Sequence, residues 1–216
     1  MAFGEVGTSL SKIKANSLNL AGTFGFSGTV TGLADETPLV LISTFTSDGS
    51  DDTATFASGI DSTYKEYMFV FNNIHPETDA KRLGFQCSTD GGSSYGVTTT
   101  TTHFIGYHRE DDSSSELSYK SANDLAQSTD FIQFEKCGND NDQCLSGILK
   151  LYNPSSTTFV KHYIAEIDNA HFGNYNQRYF MAGYGNTTSA IDGIRFKFSS
   201  GNIDAGTIKL YGIKDS

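Results

Sequence analysis

The run STDGGSSY, residues 88–95, fits the pattern S-x-D-x-G-x-[ST]-aromatic at Ser88, Asp90, Gly92, Ser94 and Tyr95. In that pattern the carboxylate accepts backbone N–H groups, glycine takes a positive φ, and the aromatic ring packs beneath the turn. Ser88, Asp90, Gly92 and Tyr95 are therefore expected to build a structural hairpin rather than to hold a ligand. One convincing copy is present, with a looser echo at Asp48 and Gly49 in TSDGSDDTATF, so the blade-by-blade repetition of a propeller is not expected.

The remaining reactive side chains are sparse. Two acidic turns, DGSDDT (Asp48, Asp51, Asp52) and GNDNDQ (Asp140, Asp142), carry oxygens suited to calcium. Neither completes a D-x-[DN]-x-[DN]-G loop with a distal glutamate, so they read as solvated turns and no metal is expected. The histidines at 75, 103, 108, 162 and 171 form no H-E-x-x-H pair, and the spacing of five between His103 and His108 sends them to opposite faces of a strand. Cys87, Cys137 and Cys144 read as reduced thiols, with Cys87 a small hydrophobe in a strand. No G-x-S-x-G elbow exists. Glu166 and Asp168 share a strand face at i,i+2 and are the pair a glycosidase would need, but a solvated charged face explains them more simply. No catalytic residue and no cofactor is nominated. The segment NAHFGNYNQR, residues 169–178, reads as a loop interleaving rings with amides. His171, Phe172, Tyr175, Asn176 and Arg178 are its candidate contacts to a host or partner, because such a mixture suits sugars and wet protein interfaces.

These side chains must be positioned by strands. Glycine (22 residues) and aromatics (12%) with only 19% charged residues favour sheet over helix. Segments at 39–46, 53–57, 64–72, 82–88, 98–107, 131–135, 143–152, 157–168, 178–184, 191–199 and 206–213 are separated by turn signals and predict strands. EYMFVF is apolar on both faces, a central strand. GIRFKFSS points Ile194, Phe196 and Phe198 inward and Arg195 and Lys197 outward. The polar stretch 109–129 reads as a long loop with a helical turn near SANDLAQ. The spacing predicts an all-β fold, an antiparallel β-sandwich of jelly-roll-like type.

The N-terminal stretch alternates strictly: Leu18, Leu20, Phe24, Phe26 and Val30 fall on one face among glycines, with small or polar residues between. It predicts an extended anchoring arm, with arm and Pro38 linker over residues 1–38 and the sandwich over 39–216. The formal net charge of −10 repels phosphates, which argues against nucleic-acid binding. No apolar run spans a bilayer, and no secretion signal is read at the N-terminus, so the expected site of synthesis is a cytoplasm.

Two stretches resemble structural proteins of tailed-bacteriophage virions: STYKEYMFVFNNIHPETDAKRLGFQCSTDGGSSY and the C-terminal IDGIRFKFSSGNIDAGTIKLYGIKDS. LNLAGTFGFSGTVTG is similar to the short Thr/Gly repeats of fibre shafts and attachment arms. The two stretches lie at 62–95 and 191–216, within the span 39–216, and the resemblance brings no active site. It implies a non-enzymatic virion protein assembled in host cytoplasm. The first expectation is a tail fibre or spike component, a homotrimer anchored to other virion proteins through its arm. Its sandwich would face the host surface, where a glycan is a candidate partner. The alternatives are a capsid decoration or head-fibre protein, and a carbohydrate-binding or carbohydrate-cleaving module.

Overall fold

The computed structural model describes residues 37–215. The anchoring-arm residues Leu18, Leu20, Phe24, Phe26 and Val30 lie outside the described residues. The described chain is all-β, with strands β1 (Leu39–Thr46), β2 (Ala54–Phe56), β3 (Glu66–Pro76), β4 (Lys81–Ser88), β5 (Thr99–Arg109), β6 (Ser115–Tyr119), β7 (Ile132–Cys137), β8 (Leu145–Tyr152), β9 (Lys161–His171), β10 (Tyr175–Gly185), β11 (Gly193–Phe198) and β12 (Ile203–Ile213). They form two antiparallel sheets, one ordered β1-β12-β3-β8-β9-β10-β5-β6 and one ordered β2-β11-β4-β7.

The core is the interface between the sheets, and the alternation of each strand builds it. Tyr67, Phe69 and Phe71 of β3 are buried, as are Phe85 of β4, Phe134 of β7, Tyr163 of β9, Tyr179 of β10 and Phe196 and Phe198 of β11. Phe196 lies at its centre. Its ring is 5.2 Å from Phe69 and from Phe71, 6.0 Å from Phe85 and 6.1 Å from Phe56, three of these contacts close to edge-on. Aromatic pairs favour such geometry because the positive ring edge meets the negative face. Ile194, Phe196 and Phe198 face inward, as their alternation requires.

Three local readings are corrected. The stretch 109–129 is not one loop. It contains β6, which pairs with β5 as a hairpin in register Phe104↔Tyr119 to His108↔Ser115. SANDLAQ forms turns rather than a helical turn. Thr101 N–H donates to Leu125 O, and Leu125 N–H donates to Thr101 Oγ1, so this backbone is satisfied across the chain instead of along it. Most of residues 169–178 is strand: β9 runs through His171, β10 starts at Tyr175, and a three-residue connection joins them with Asn174 at φ 58°. Asparagine tolerates that left-handed conformation, and the register His171↔Tyr175 fixes the hairpin.

The eight-stranded sheet packs one face on the core. Its other face carries half-exposed or exposed apolar side chains along several strands. Leu41, Met68, Val70, Ile164 and Phe104 belong to it by strand alternation. This explains why β3 reads as apolar on both faces although only its Tyr67–Phe69–Phe71 face is fully buried.

Candidate functional site

The run at residues 88–95 joins β4 to β5, which belong to different sheets, so the turn is a corner between layers and not the expected hairpin. Asp90 Oδ1 accepts Ser94 N–H at 2.8 Å and Ser88 Oγ–H at 2.7 Å; its other oxygen accepts Ser94 Oγ–H at 2.6 Å. Ser88 Oγ accepts Gly92 N–H at 2.9 Å. Gly91 and Gly92 sit at φ 67° and 81°, and a Cβ at Gly92 would come within 2.9 Å of Ala57 Cβ and Tyr95 Oη. The Tyr95 ring lies 4.4 Å from the Arg195 guanidinium. Hydrogen bonds from Ser94 and Ser88 hold the Asp90 carboxyl down at about 2. Both oxygens of this carboxylate are thus engaged by its own loop. A shorter version occurs where Asp48, Asp61 and Asp111 accept the N–H two residues on, from Ser50, Thr63 and Ser113, instead of four residues on as at Asp90.

The five candidate contact residues separate by face. His171 is buried and turns inward, its ring stacked on Tyr175 at 4.0 Å and close to Phe172 at 4.2 Å. Its Nδ1 accepts Gly173 N–H at 3.0 Å. Burial and the nearby Lys136 ammonium push its pKa down to about 4, so the ring is neutral at pH 7. Tyr175 also lies 5.2 Å from Tyr107. These rings form an aromatic knot that closes the end of the sandwich, with Phe172 exposed at its tip.

Asn176 and Arg178 project from the opposite, outer face. Asn176 Nδ2 donates to Asp168 Oδ1 at 2.9 Å, and Arg178 Nη2 donates to Glu166 Oε2 at 2.6 Å. Both are cross-strand pairs between β10 and β9. Glu166 and Asp168 share a face as their spacing requires, and each is engaged by its neighbour. Beside them Phe180 of β10 lies opposite Phe104 of β5. Their rings stack at 4.8 Å and 12°, with Phe104 44% exposed to solvent. The Arg178 guanidinium lies 5.2 Å from the Phe180 ring. At Gly106 the face has open space where a side chain would stand. The result is a shallow depression of about 520 Å³ between Phe180 and Leu117, lined also by His108, Asn176 and Arg178. A second cleft of about 440 Å³ adjoins it, lined by His108, Cys144, Asp168, Tyr175 and Asn176 among others.

Phe104, Phe180, Gly106 and Leu117 are not legible as a site from the sequence. Their convergence depends on the β5–β10 and β5–β6 registers, and alternation within β5 and β10 signals only that Phe104 and Phe180 leave the core.

His103 is fully buried, with neither ring nitrogen hydrogen-bonded, and desolvation lowers its pKa to about 4. Cys87, Cys137 and Cys144 are free thiols; burial raises Cys87 and Cys137 to about 12, too high for thiolate chemistry at neutral pH. Among the described residues no group of three or more His, Cys, Asp or Glu side chains is placed to hold a metal ion. Comparison with protein-family models, curated proteins and solved structures finds no significant match to this chain.

Proposed function

We propose that this chain is a non-catalytic recognition module of a tailed-bacteriophage virion, a tail-fibre or spike component, whose outer sheet face takes a carbohydrate of the host surface. The observation that carries the binding reading is the exposed Phe104–Phe180 stack beside Asn176, Arg178, Glu166 and Asp168. A pyranose presents a C–H face to aromatic rings and hydroxyls at its rim. Amide, guanidinium and carboxylate groups pair with those hydroxyls as both donors and acceptors. Because the polar groups are already held by cross-strand partners, little side-chain freedom is lost on binding. The virion assignment rests on the resemblance carried by the two sequence stretches quoted above.

The test has two arms. Binding of the full chain to a panel of bacterial surface glycans is compared with that of Phe104→Ala and Phe180→Ala, neither of which contributes to the inter-sheet core. Loss of affinity of tenfold or more in both variants, with unchanged melting, is expected. Equal glycan binding by wild type and variants, or none by either, sinks the carbohydrate reading. Mass spectrometry of separated tails and heads tests the location, and recovery of the chain in heads alone would make it a capsid decoration or head-fibre protein.

A further inference from the structure

β6 is the last strand of the eight-stranded sheet among the described residues, and β5 is the one strand it pairs with there. Sheet edges invite pairing with another chain unless they are shortened, bulged, charged or interrupted by proline. β6 is itself short and carries Glu116, but it has neither proline nor bulge, whereas the other three edges are more strongly interrupted. β1 follows Pro38 and shifts register between Leu41 and Ser43. β2 has three residues, and β7 pairs with a register shift opposite Arg82/Gly84. β6 runs against β5 with no shift. It exposes Leu117 at 73% and Tyr119 at 56%, the first being the most exposed large apolar side chain described.

The backbone at this edge is set for pairing. Lys120 N–H donates to His103 O, and Arg109 N–H donates to Ser114 O. In an antiparallel ladder, hydrogen-bonded and non-hydrogen-bonded positions alternate. The even positions of β6 therefore turn their N–H and C=O groups to β5, and Ser115, Leu117 and Tyr119 turn theirs to the free edge.

The sequence of this edge, Glu116-Leu117-Ser118-Tyr119-Lys120, is complementary to its own reverse. In an antiparallel pairing centred on Ser118, Leu117 lies opposite Tyr119 of a second copy, and Glu116 lies opposite Lys120. Leu117 and Tyr119 are the residues whose backbone groups are free, so the register that matches the side chains also matches the hydrogen bonds. Neither Glu116 nor Lys120 forms an ion pair within the described residues. On the outer face, Tyr119 lies opposite Phe104, which lies opposite Phe180. Leu117 and Tyr119 of a second copy extend that apolar row across the junction.

We propose that β6 is a self-association edge: two copies of this chain pair their β6 strands antiparallel about a two-fold axis at Ser118, joining two eight-stranded sheets into one. The contact is isologous, with each copy contributing the same residues in reverse order. It also places the two Phe104–Phe180 faces on one continuous surface.

Sedimentation equilibrium of the full chain tests this, with circular dichroism and melting as the check on folding. Wild type should be a dimer, in place of the homotrimer that the fibre resemblance implies. Glu116→Lys and Lys120→Glu should each place like charges opposite one another and weaken association at least tenfold while remaining folded. In an equimolar mixture of the two variants, the edge of one chain carries two lysines and the edge of the other two glutamates. Opposite charges then face each other at both positions, and the dimer should return. Ser118→Cys gives a second readout, because directly opposed non-hydrogen-bonded positions lie close enough for a disulfide. Mild oxidation should give a 118–118 cross-link located by peptide mass spectrometry. A wild-type monomer, a trimer, or a dimer unaffected by either charge reversal would overturn the proposal, as would a variant mixture that stays monomeric.

Discussion

His103 and His171 are both buried, and desolvation holds both near 4, so the folded protein keeps them neutral at pH 7. The unfolded chain titrates its histidines near about 6.5. As pH falls, the unfolded state therefore takes up protons first. The stability contributed by these residues is complete above about pH 6.5 and is lost progressively down to about 4. The shift corresponds to on the order of 3 kcal/mol for each group at the bottom of that window. The urea midpoint should drop clearly between pH 7 and about 4.5, and His103→Leu should flatten the drop. A wild-type midpoint unchanged over this range would show that the two rings are not held neutral. The Asp90 corner makes a different prediction, since its carboxylate serves backbone N–H and hydroxyl groups of its own loop. Asp90→Ala should lower the melting temperature by a few degrees. Gly92→Val should lower it more, because a β-branched residue at φ 81° is strained and its Cβ meets Ala57 and Tyr95. Glycan adsorption by both variants should match wild type at equal folded protein. An Asp90→Ala protein that melts normally and no longer adsorbs would assign the corner to recognition instead.

At the scale of the strand, legibility follows apolar patterning. β1 is readable to the residue from its apolar and β-branched run although none of its residues is fully buried, and β11 announces its inward face through Ile194, Phe196 and Phe198. β6 escapes a reading of the sequence because SELSY is short and largely polar. Its outer-face residues Leu117 and Tyr119 meet no second layer, so no core-facing alternation marks it. The β9–β10 hairpin has the composition of a loop because Asn169, His171 and Gln177 are buried polar residues in an all-strand setting. Asn169 is accommodated by donating its Nδ2 to Lys136 O at 2.9 Å, a tertiary bond that composition does not encode. The turn at Asp90 is legible in its bonding but not in its topology, since the pattern does not say whether the flanking strands share a sheet. The element that should matter most to stability is β11, which sets Phe196 against rings of both sheets. Phe196→Ala removes a ring with four aromatic neighbours. It should cost about 3–5 kcal/mol in denaturant unfolding. A loss below about 1 kcal/mol would mean that the neighbouring rings collapse into the space and that the centre of the core lies elsewhere.

At the scale of the molecule, residues 37–215 contain both sheets and the whole described core, and each strand finds its partners within that range. The described ladders and the described core are thus assembled from residues 37–215. A chain beginning at Thr37 should express in soluble form and unfold in a single cooperative transition, with a midpoint close to that of the full chain. The role proposed for the alternating Leu18–Val30 stretch is anchoring to other virion proteins, so the same truncation should be absent from purified particles although it folds. Its glycan binding should be retained, because Phe104, Phe180, Asn176 and Arg178 all lie within the retained strands. The two readouts distinguish the ways of being wrong. A truncated chain that fails to fold would place the alternating stretch in the core. A truncated chain that folds and still enters particles at wild-type copy number would leave that stretch without the anchoring role, and would move attachment to the sandwich itself.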